Sequence, residues 1–404
     1  MKLYLPLFFL YLIGCASYQT KLSIPMKHMQ AGEAAKAAEL LKEAAYKPSR
    51  DQLVFALDYS LAAQTAGNYK ESNKGFQLAY ELADWNDYHS VTKIAGSLLV
   101  NEGLMQYKGD EYEKLLIPVY AAKNFILQND FTAARVEVKR IHERINAMQM
   151  DGEKVFKQMP YAYYLSALVW ELNGNLDSAY IDYKKTFELA PEFTEVKHDL
   201  LRLSKRLGRT QEAAKFKKKF SDLEMQNIGR NSGQLVLIYE QGRAPRKFPH
   251  PNWHRIPKLY PVKVAGVQAR LTVKGKDISK DTTTVLNINE LAIETLDKQY
   301  AGLIAKRMAA IATKAVVAEQ VRQRNEGLGQ LAWIAMNVAD QADLRQWLFL
   351  PASVQVAKVY LPAGKYQVSA DALTNAKVPL ANTRSYEVEV KANKISFINY
   401  RSFN

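Results

Sequence analysis

The feature that most constrains this chain is a spacing. Ala179 and Ala213 stand 34 residues apart, and each follows a glycine, Gly174 or Gly208, by five positions. Before the first glycine runs Tyr161-Ala162-Tyr163-Tyr164-Leu165-Ser166-Ala167-Leu168-Val169-Trp170. After it comes Leu176-Asp177-Ser178-Ala179, with Tyr183 four residues on and Pro191 at the end. That pattern predicts two amphipathic helices joined by a glycine turn. The small Ala179 allows them to approach closely, Tyr183 shares its face, and Pro191 stops the second helix. A helix pair of this kind cannot bury its apolar face alone, so it must stack on a neighbour of the same kind.

The same signal returns upstream in degraded form. Gly67 leads to Ser72, Phe76 and Ala79; Gly32 to Ala37, Leu41 and Ala44, with Pro25 shortening its first helix; Asn129 to Ala134, between longer helices. Ser49-Arg50-Asp51-Gln52 fits a capping box that opens a helix at about residue 51. Residues 30–228 therefore read as a helical array, and the pattern resembles a tetratricopeptide repeat. The resemblance implies a concave face lined by the first helix of each pair. Aligning on Ala179 and Ala213 puts Tyr161, Tyr164, Leu168 and Glu171, then Glu195, His198, Arg202 and Lys205, on that face. Tyr161, Tyr164, Leu168, Glu171, His198, Arg202 and Lys205 are the expected partner-binding set, with packing or plain surface as the alternative.

The N-terminus says where such an array would live. Met1-Lys2 precedes an apolar run from Leu3 to Ile13, followed by Gly14-Cys15. The run is too short to span a bilayer, and its order is that of an export signal. Leu12-Ile13-Gly14-Cys15 resembles the lipobox of bacterial lipoproteins, which implies cleavage after residue 14 and lipidation of Cys15. Residue 16 is Ala rather than an inner-membrane retention Asp, so the expected location is the outer membrane, within the cell envelope. Cys15 is the single cysteine of 404 residues, so intramolecular disulfides and multi-cysteine metal sites are excluded. The chain carries 55 Lys and Arg against 41 Asp and Glu, a formal charge of +14. In an exported protein this charge points to anionic lipid or cell-wall polymer, or to a solvated surface, and not to nucleic acid.

Residues 229–404 change character. Gly233 to Glu240, Val262 to Val273, Thr282 to Ile288, Val354 to Val359, Tyr366 to Val368, Tyr386 to Val390 and Ile395 to Tyr400 read as strands, the last two as a hairpin around Lys391-Ala392-Asn393-Lys394. A helical insert occupies about 290–342. The fold class expected is thus α+β: a signal (1–14), a lipidated tether (15–29), an all-α tetratricopeptide-like solenoid (30–228) and a β-rich, sandwich-like domain with a helical insert (229–404). Arg243 to Tyr260 reads as a long surface loop or edge. Within it Arg246, Lys247, His250, Trp253 and His254 are candidate contacts for an anion or glycan.

Catalytic and cofactor signals are absent from the sequence. Gly327-Leu328-Gly329-Gln330-Leu331-Ala332 follows a helix instead of a strand, so it lacks the context of a dinucleotide turn. His250 and His254 are flanked by prolines, and no P-loop or nucleophile elbow occurs. The expectation is a non-enzyme without metal or cofactor. Lys215, Lys217, Lys218 and Lys219 surround Phe216 and Phe220, which share a helical face; the lysines then form a solvated side, with anionic lipid as the alternative.

Two further runs carry a resemblance. Tyr107-Lys108-Gly109-Asp110-Glu111-Tyr112-Glu113, continued by Tyr120 to Phe125 and Ala134 to Arg140, and the run Ala339 to Trp347 with Leu350-Pro351 and Leu361 to Gly364, resemble a family of uncharacterised bacterial outer-membrane lipoproteins with a tetratricopeptide-like N-terminal half. Glu113, Glu137 and Arg140 are candidates for a buried cluster or for an exposed ion-pair network. The family implies no activity; its link to cell-wall assembly is one of association. Together these readings imply a lipid-anchored envelope scaffold that binds partner proteins through the repeat groove. A glycan- or peptidoglycan-binding protein is the alternative, and an envelope polymer-processing enzyme the third.

Overall fold

The computed structural model describes residues 18–90, 105–150, 152, 159–221, 223, 229, 231–330, 341–380 and 383–403. Cys15 and the signal lie outside them. The described chain opens with helices α1 (Tyr18–Lys21), α2 (Ser23–Gln30), α3 (Ala34–Tyr46), α4 (Gln52–Thr65) and α5 (Tyr69–Ser90). They are followed by α6 (Glu111–Leu127), α7 (Phe131–Met150), α8 (Pro160–Leu172), α9 (Leu176–Leu189), α10 (Thr194–Arg206) and α11 (Thr210–Lys219). From α2 onward they pair as helix–turn–helix units. The residue at each turn read from the sequence adopts the left-handed conformation: Gly32, Gly67, Asn129, Gly174 and Gly208, at φ between 59° and 80°. Each small residue five positions later, Ala37, Ser72, Ala134, Ala179 and Ala213, is buried. Packing is tightest where α5 crosses α4: a Cβ on Gly75 would lie 2.2 Å from Ser60 Oγ.

Two expectations are corrected here. Residues 18–30 are not a tether but two helices, with Tyr18, Leu22 and Met29 buried against the array. No capping box forms at Ser49: α4 begins at Gln52 without a side-chain cap, because Ser49 Oγ accepts from the Asp51 amide instead. The box forms at Asp110 and Glu113, opening α6.

The second half comprises β1 (Ser232–Gln241), β2 (Arg246–His250), β3 (Trp253–Tyr260), β4 (Gln268–Val273), β5 (Ile278–Asp281) and β6 (Thr283–Asn287). The 37-residue helix α12 (Ile288–Arg324) follows, then β7 (Ser353–Pro362), β8 (Gly364–Leu373), β9 (Arg384–Val390) and β10 (Ile395–Ser402). Two four-stranded sheets, ordered β10-β1-β7-β6 and β5-β4-β8-β9, pack face to face, and β2 and β3 form a separate hairpin. Leu235, Leu237 and Tyr239 of β1 meet Leu271, Val368 and Val390 of the opposite sheet in one core. The expected terminal hairpin is not one. β9 pairs with β8 in one sheet, while β10 pairs in parallel with β1 in the other, so the chain arches between sheets at Lys391–Lys394.

The alternate residues of β1 and β7 face the other way. Val236, Ile238, Val354 and Val356 join the core of the helical array. The molecule is therefore three layers deep: helices, a sheet buried on both faces, and a second sheet. This accounts for the near-continuous apolar run Leu235-Val236-Leu237-Ile238, since a strand covered on both sides has no polar face.

Candidate functional site: the groove between the halves

The face expected to bind a partner is present, and the chain's own sheet covers it. Tyr161, Tyr164 and Leu168 on α8 are all buried. The Tyr164 ring packs edge-on against Phe193 at 4.7 Å, and Lys358 Nζ of β7 lies 5.4 Å from its centroid. Glu171 accepts two bonds from the Arg202 guanidinium, at 2.5 and 2.7 Å, and a longer one of 3.4 Å from Gln234 of β1. Arg202 also reaches Asp199 at 2.9 Å, and Asp199 accepts from Lys358 Nζ at 2.6 Å. Burial works against the Asp199 charge, but Lys358 and Arg202 beside it hold its carboxyl below the ordinary value. Arg202, expected on the partner-binding face, is instead held in an ion-pair network with Glu171 and Asp199. Lys205, three residues on, is exposed. His198 is half-buried, and burial lowers its pKa. Glu195 lies beneath β7 with burial pushing its carboxyl up to about 7.

At the other end of the groove an extended strap from the β half threads the array. Arg345, Gln346, Trp347, Leu348, Phe349 and Leu350 are all buried. The Trp347 ring sits 5.8 Å from Phe76 and 5.4 Å from Tyr120, centroid to centroid. Its amide donates to Glu113 Oε1 at 2.7 Å, and the Phe349 amide donates to Asp58 Oδ1 at 2.8 Å. Arg345 reaches Asp51 at 3.1 Å and the carbonyls of Arg50 and Met105. Burial pushes Asp58 up to about 8, with hydrogen bonds from Tyr18 and the Phe349 amide opposing it; burial and then Asp110 raise Glu113 to about 7. Lys123 with Glu240 at 2.8 Å and Lys247 with Asp110 at 2.9 Å are further ion pairs that cross between the halves.

The two sequence runs singled out above meet at this strap. Tyr107 and Glu113 come from one, and Arg345 and Trp347 from the other; the Arg345 guanidinium lies 5.3 Å from the Tyr107 ring. Glu113 is accordingly separate from Glu137 and Arg140, which pair with each other at 2.9 Å on α7, with Glu137 buried and Arg140 half-buried and reaching Gln77.

The candidate anion or glycan segment is a β-hairpin, with Arg246 opposite Tyr260 and Phe248 opposite Lys258. Strand alternation divides its residues. Lys247 points inward, buried and bonded to Asp110 and to the Arg345 carbonyl, so it is removed from the candidate contacts. Phe248 and Trp253 point out, 42% and 48% exposed, with His254 exposed beside them. Arg246 and His250 are partly covered; the His250 ring lies 6.2 Å from Tyr300 of α12. In the Lys215–Lys219 run Phe216 and Phe220 stack at 5.3 Å, and the lysines are exposed.

The sequence reading missed the strap and Lys358. The signal for the covering sheet was the doubly buried run of β1, which demanded a second layer over it. Nothing local marked Lys358, whose acidic partner stands 159 residues away, and Arg345 joins the nearby Asp343 to Asp51, 294 residues away.

No family model and no curated protein matches the chain. Solved structures match about half of it. MamA residues 41–end from Desulfovibrio magneticus RS-1 is 15% identical over 51% of this chain and 93% of that one, at a TM-score of 0.35. A Podospora anserina putative kinesin light chain with nearly identical TPR-like repeats is 14% identical over 51% and 93%, at 0.34. BtubC from P. vanneervenii is 13% identical over 52% and 84%, at 0.35. The class this structure defines is an α+β protein, a tetratricopeptide-like helical half followed by a strand-rich half.

Proposed function

We propose that the protein is a lipid-anchored, non-enzymatic scaffold of the bacterial outer membrane, whose repeat groove serves to hold its own β half while partner proteins dock elsewhere. The observation that carries this reading is the occupied groove: Trp347, Phe349, Lys358 and Gln234 take the positions a bound peptide would take in an open array. A buried interface crossed by ion pairs such as Lys358 with Asp199 and Lys123 with Glu240 fixes the geometry of the two halves. A surface open to a partner is the β2–β3 hairpin. Its exposed aromatics, Phe248, Trp253 and Tyr260, are the residue types that anchor interfaces.

The test is capture from envelopes with chemical crosslinking. Wild type and the groove-rim variant Lys205→Glu should retain the same partner, and Trp253→Ala with Phe248→Ala should lose it. Retention by the hairpin variant, with loss in the Lys205 variant, would return the interface to the groove. A second reading is cell-wall glycan stacked on the same hairpin, favoured by the adjacency of exposed Trp253 to His254 and Arg255. Sedimentation with purified cell wall, abolished by Trp253→Ala, would select it.

A further inference from the structure

Helix α2 and the segment after β1 enclose a cavity of about 240 Å³. Its lining includes the apolar Leu22, Met26 and Leu348 and the cationic Lys27, Arg243 and Arg246. Among the described residues the lining contains no Asp or Glu. The three cations differ from the others near this interface. Arg202, Lys247, Arg345 and Lys358 each have a carboxylate within 3.1 Å. Neither Arg243 nor Arg246 is paired with an acid among the described residues. The Nε–H donors of both are buried and find no acceptor there, and the Arg246 guanidinium lies 5.7 Å from the Phe248 ring. Buried guanidinium donors without acceptors are costly, and Arg243 and Arg246 lack, among the described residues, the carboxylate that each of those four cations has. Burial and then the neighbouring Arg246 press the Arg243 pKa below its ordinary value.

We infer that this cavity binds a phosphate-bearing amphiphile, the headgroup of an anionic membrane lipid, with its phosphate between Arg243 and Arg246 and its glycerol or first methylenes against Leu22, Met26 and Leu348. Arginine presents paired N–H donors that match phosphate oxygens. The source is set by position. Leu22 stands seven residues after Cys15. Seven residues span at most about 25 Å when extended, and Tyr18–Lys21 is helical, so the cavity lies within that reach of a bilayer holding the Cys15 acyl groups. This last step rests on the lipid anchor proposed above.

The experiment separates the two. The full chain carrying Cys15→Ser, which has no acyl anchor, is floated with phosphatidylcholine vesicles with and without phosphatidylglycerol. Binding should require phosphatidylglycerol. Arg243→Gln with Arg246→Gln should weaken it about thirty-fold, at roughly a factor of five per cation. Lys27→Gln, at an exposed position that does not endanger folding, should weaken it about fivefold. Arg243→Lys with Arg246→Lys should restore part of the loss. Thermal melts confirm that each variant is folded. Equal loss on removing the remote Lys217 and Lys218 would reduce the effect to general charge attraction and overturn the site. In solution, dihexanoyl phosphatidylglycerol should bind more tightly than inorganic phosphate; equal binding would overturn the amphiphile assignment. Failure of the anchor itself would show separately, as wild-type chain absent from cell membranes.

Discussion

The inner face of α8 and α10 and the β2–β3 hairpin have similar composition, aromatic rings interleaved with basic side chains, and they end in opposite environments. On the helices, Tyr161 and Tyr164 are buried under a sheet, Arg202 is paired with Glu171, and Lys358 of the sheet is paired with Asp199. On the hairpin, Phe248 and Trp253 face solvent. The difference is whether a second layer lies over the residue. Beneath one, a cation must be matched by an acid because desolvation is expensive; without one, the same cation is nearly free energetically. Aromatic-basic composition therefore marks a contact surface in both regions, but the contact in one is already made within the chain.

Charge reversal gives the strongest test of that contrast. Arg202→Glu would place a third carboxylate beside Glu171 and Asp199. Removing one partner of a buried pair already costs about 3–5 kcal/mol, so the reversal should exceed that and abolish soluble, folded protein on expression. Normal yield and melting would mean that the sheet does not cover α10. Trp347→Ala comes next. It empties a site bounded by Phe76 and Tyr120, and should cost about 3–5 kcal/mol in denaturant unfolding. A cost under about 1 kcal/mol would show the strap to be peripheral.

The pH dependence is smaller. Asp58 at about 8, and Glu113 and Glu195 at about 7, stand above their unfolded values near 4. The native state then holds more protons than the unfolded chain between those limits, so stability falls as pH rises through the window. His198, lowered by burial, opposes this. The melting temperature should drop by at least about 3 °C from pH 5.5 to 8.5. Asp58→Asn, which keeps an oxygen for the Phe349 amide, should flatten the slope. A melting temperature that rises over this range would count against the buried carboxyls at the interface. The smallest effects belong to the exposed members of each region. Lys205→Glu and Trp253→Ala should each move stability by less than about 0.5 kcal/mol, so the two residues of α10 three positions apart, Arg202 and Lys205, should differ about tenfold in cost. Comparable costs would show that the register assigned to α10 is wrong.

Local signals were sufficient for the repeats. A left-handed turn residue and a small residue five positions on were readable at Gly32, Gly67, Asn129, Gly174 and Gly208, because a helix reversal and a close helix approach impose their demands within a few residues. The doubly apolar run of β1 was equally local, and it stated that something must cover both faces without stating what. The pairing of Lys358 with Asp199, of Arg345 with Asp51, and of β10 with β1 depended on residues far apart in the chain. A lone charged side chain reads the same in sequence whether it ends in water or against a partner, since its desolvation is fixed only when the layers close. By itself the sequence determined five helical turns, the faces of the helices and the alternation of the strands. Only the tertiary structure decided that the array's concave face meets the chain's own sheet, because that choice is made by burial and charge matching between segments more than a hundred residues apart.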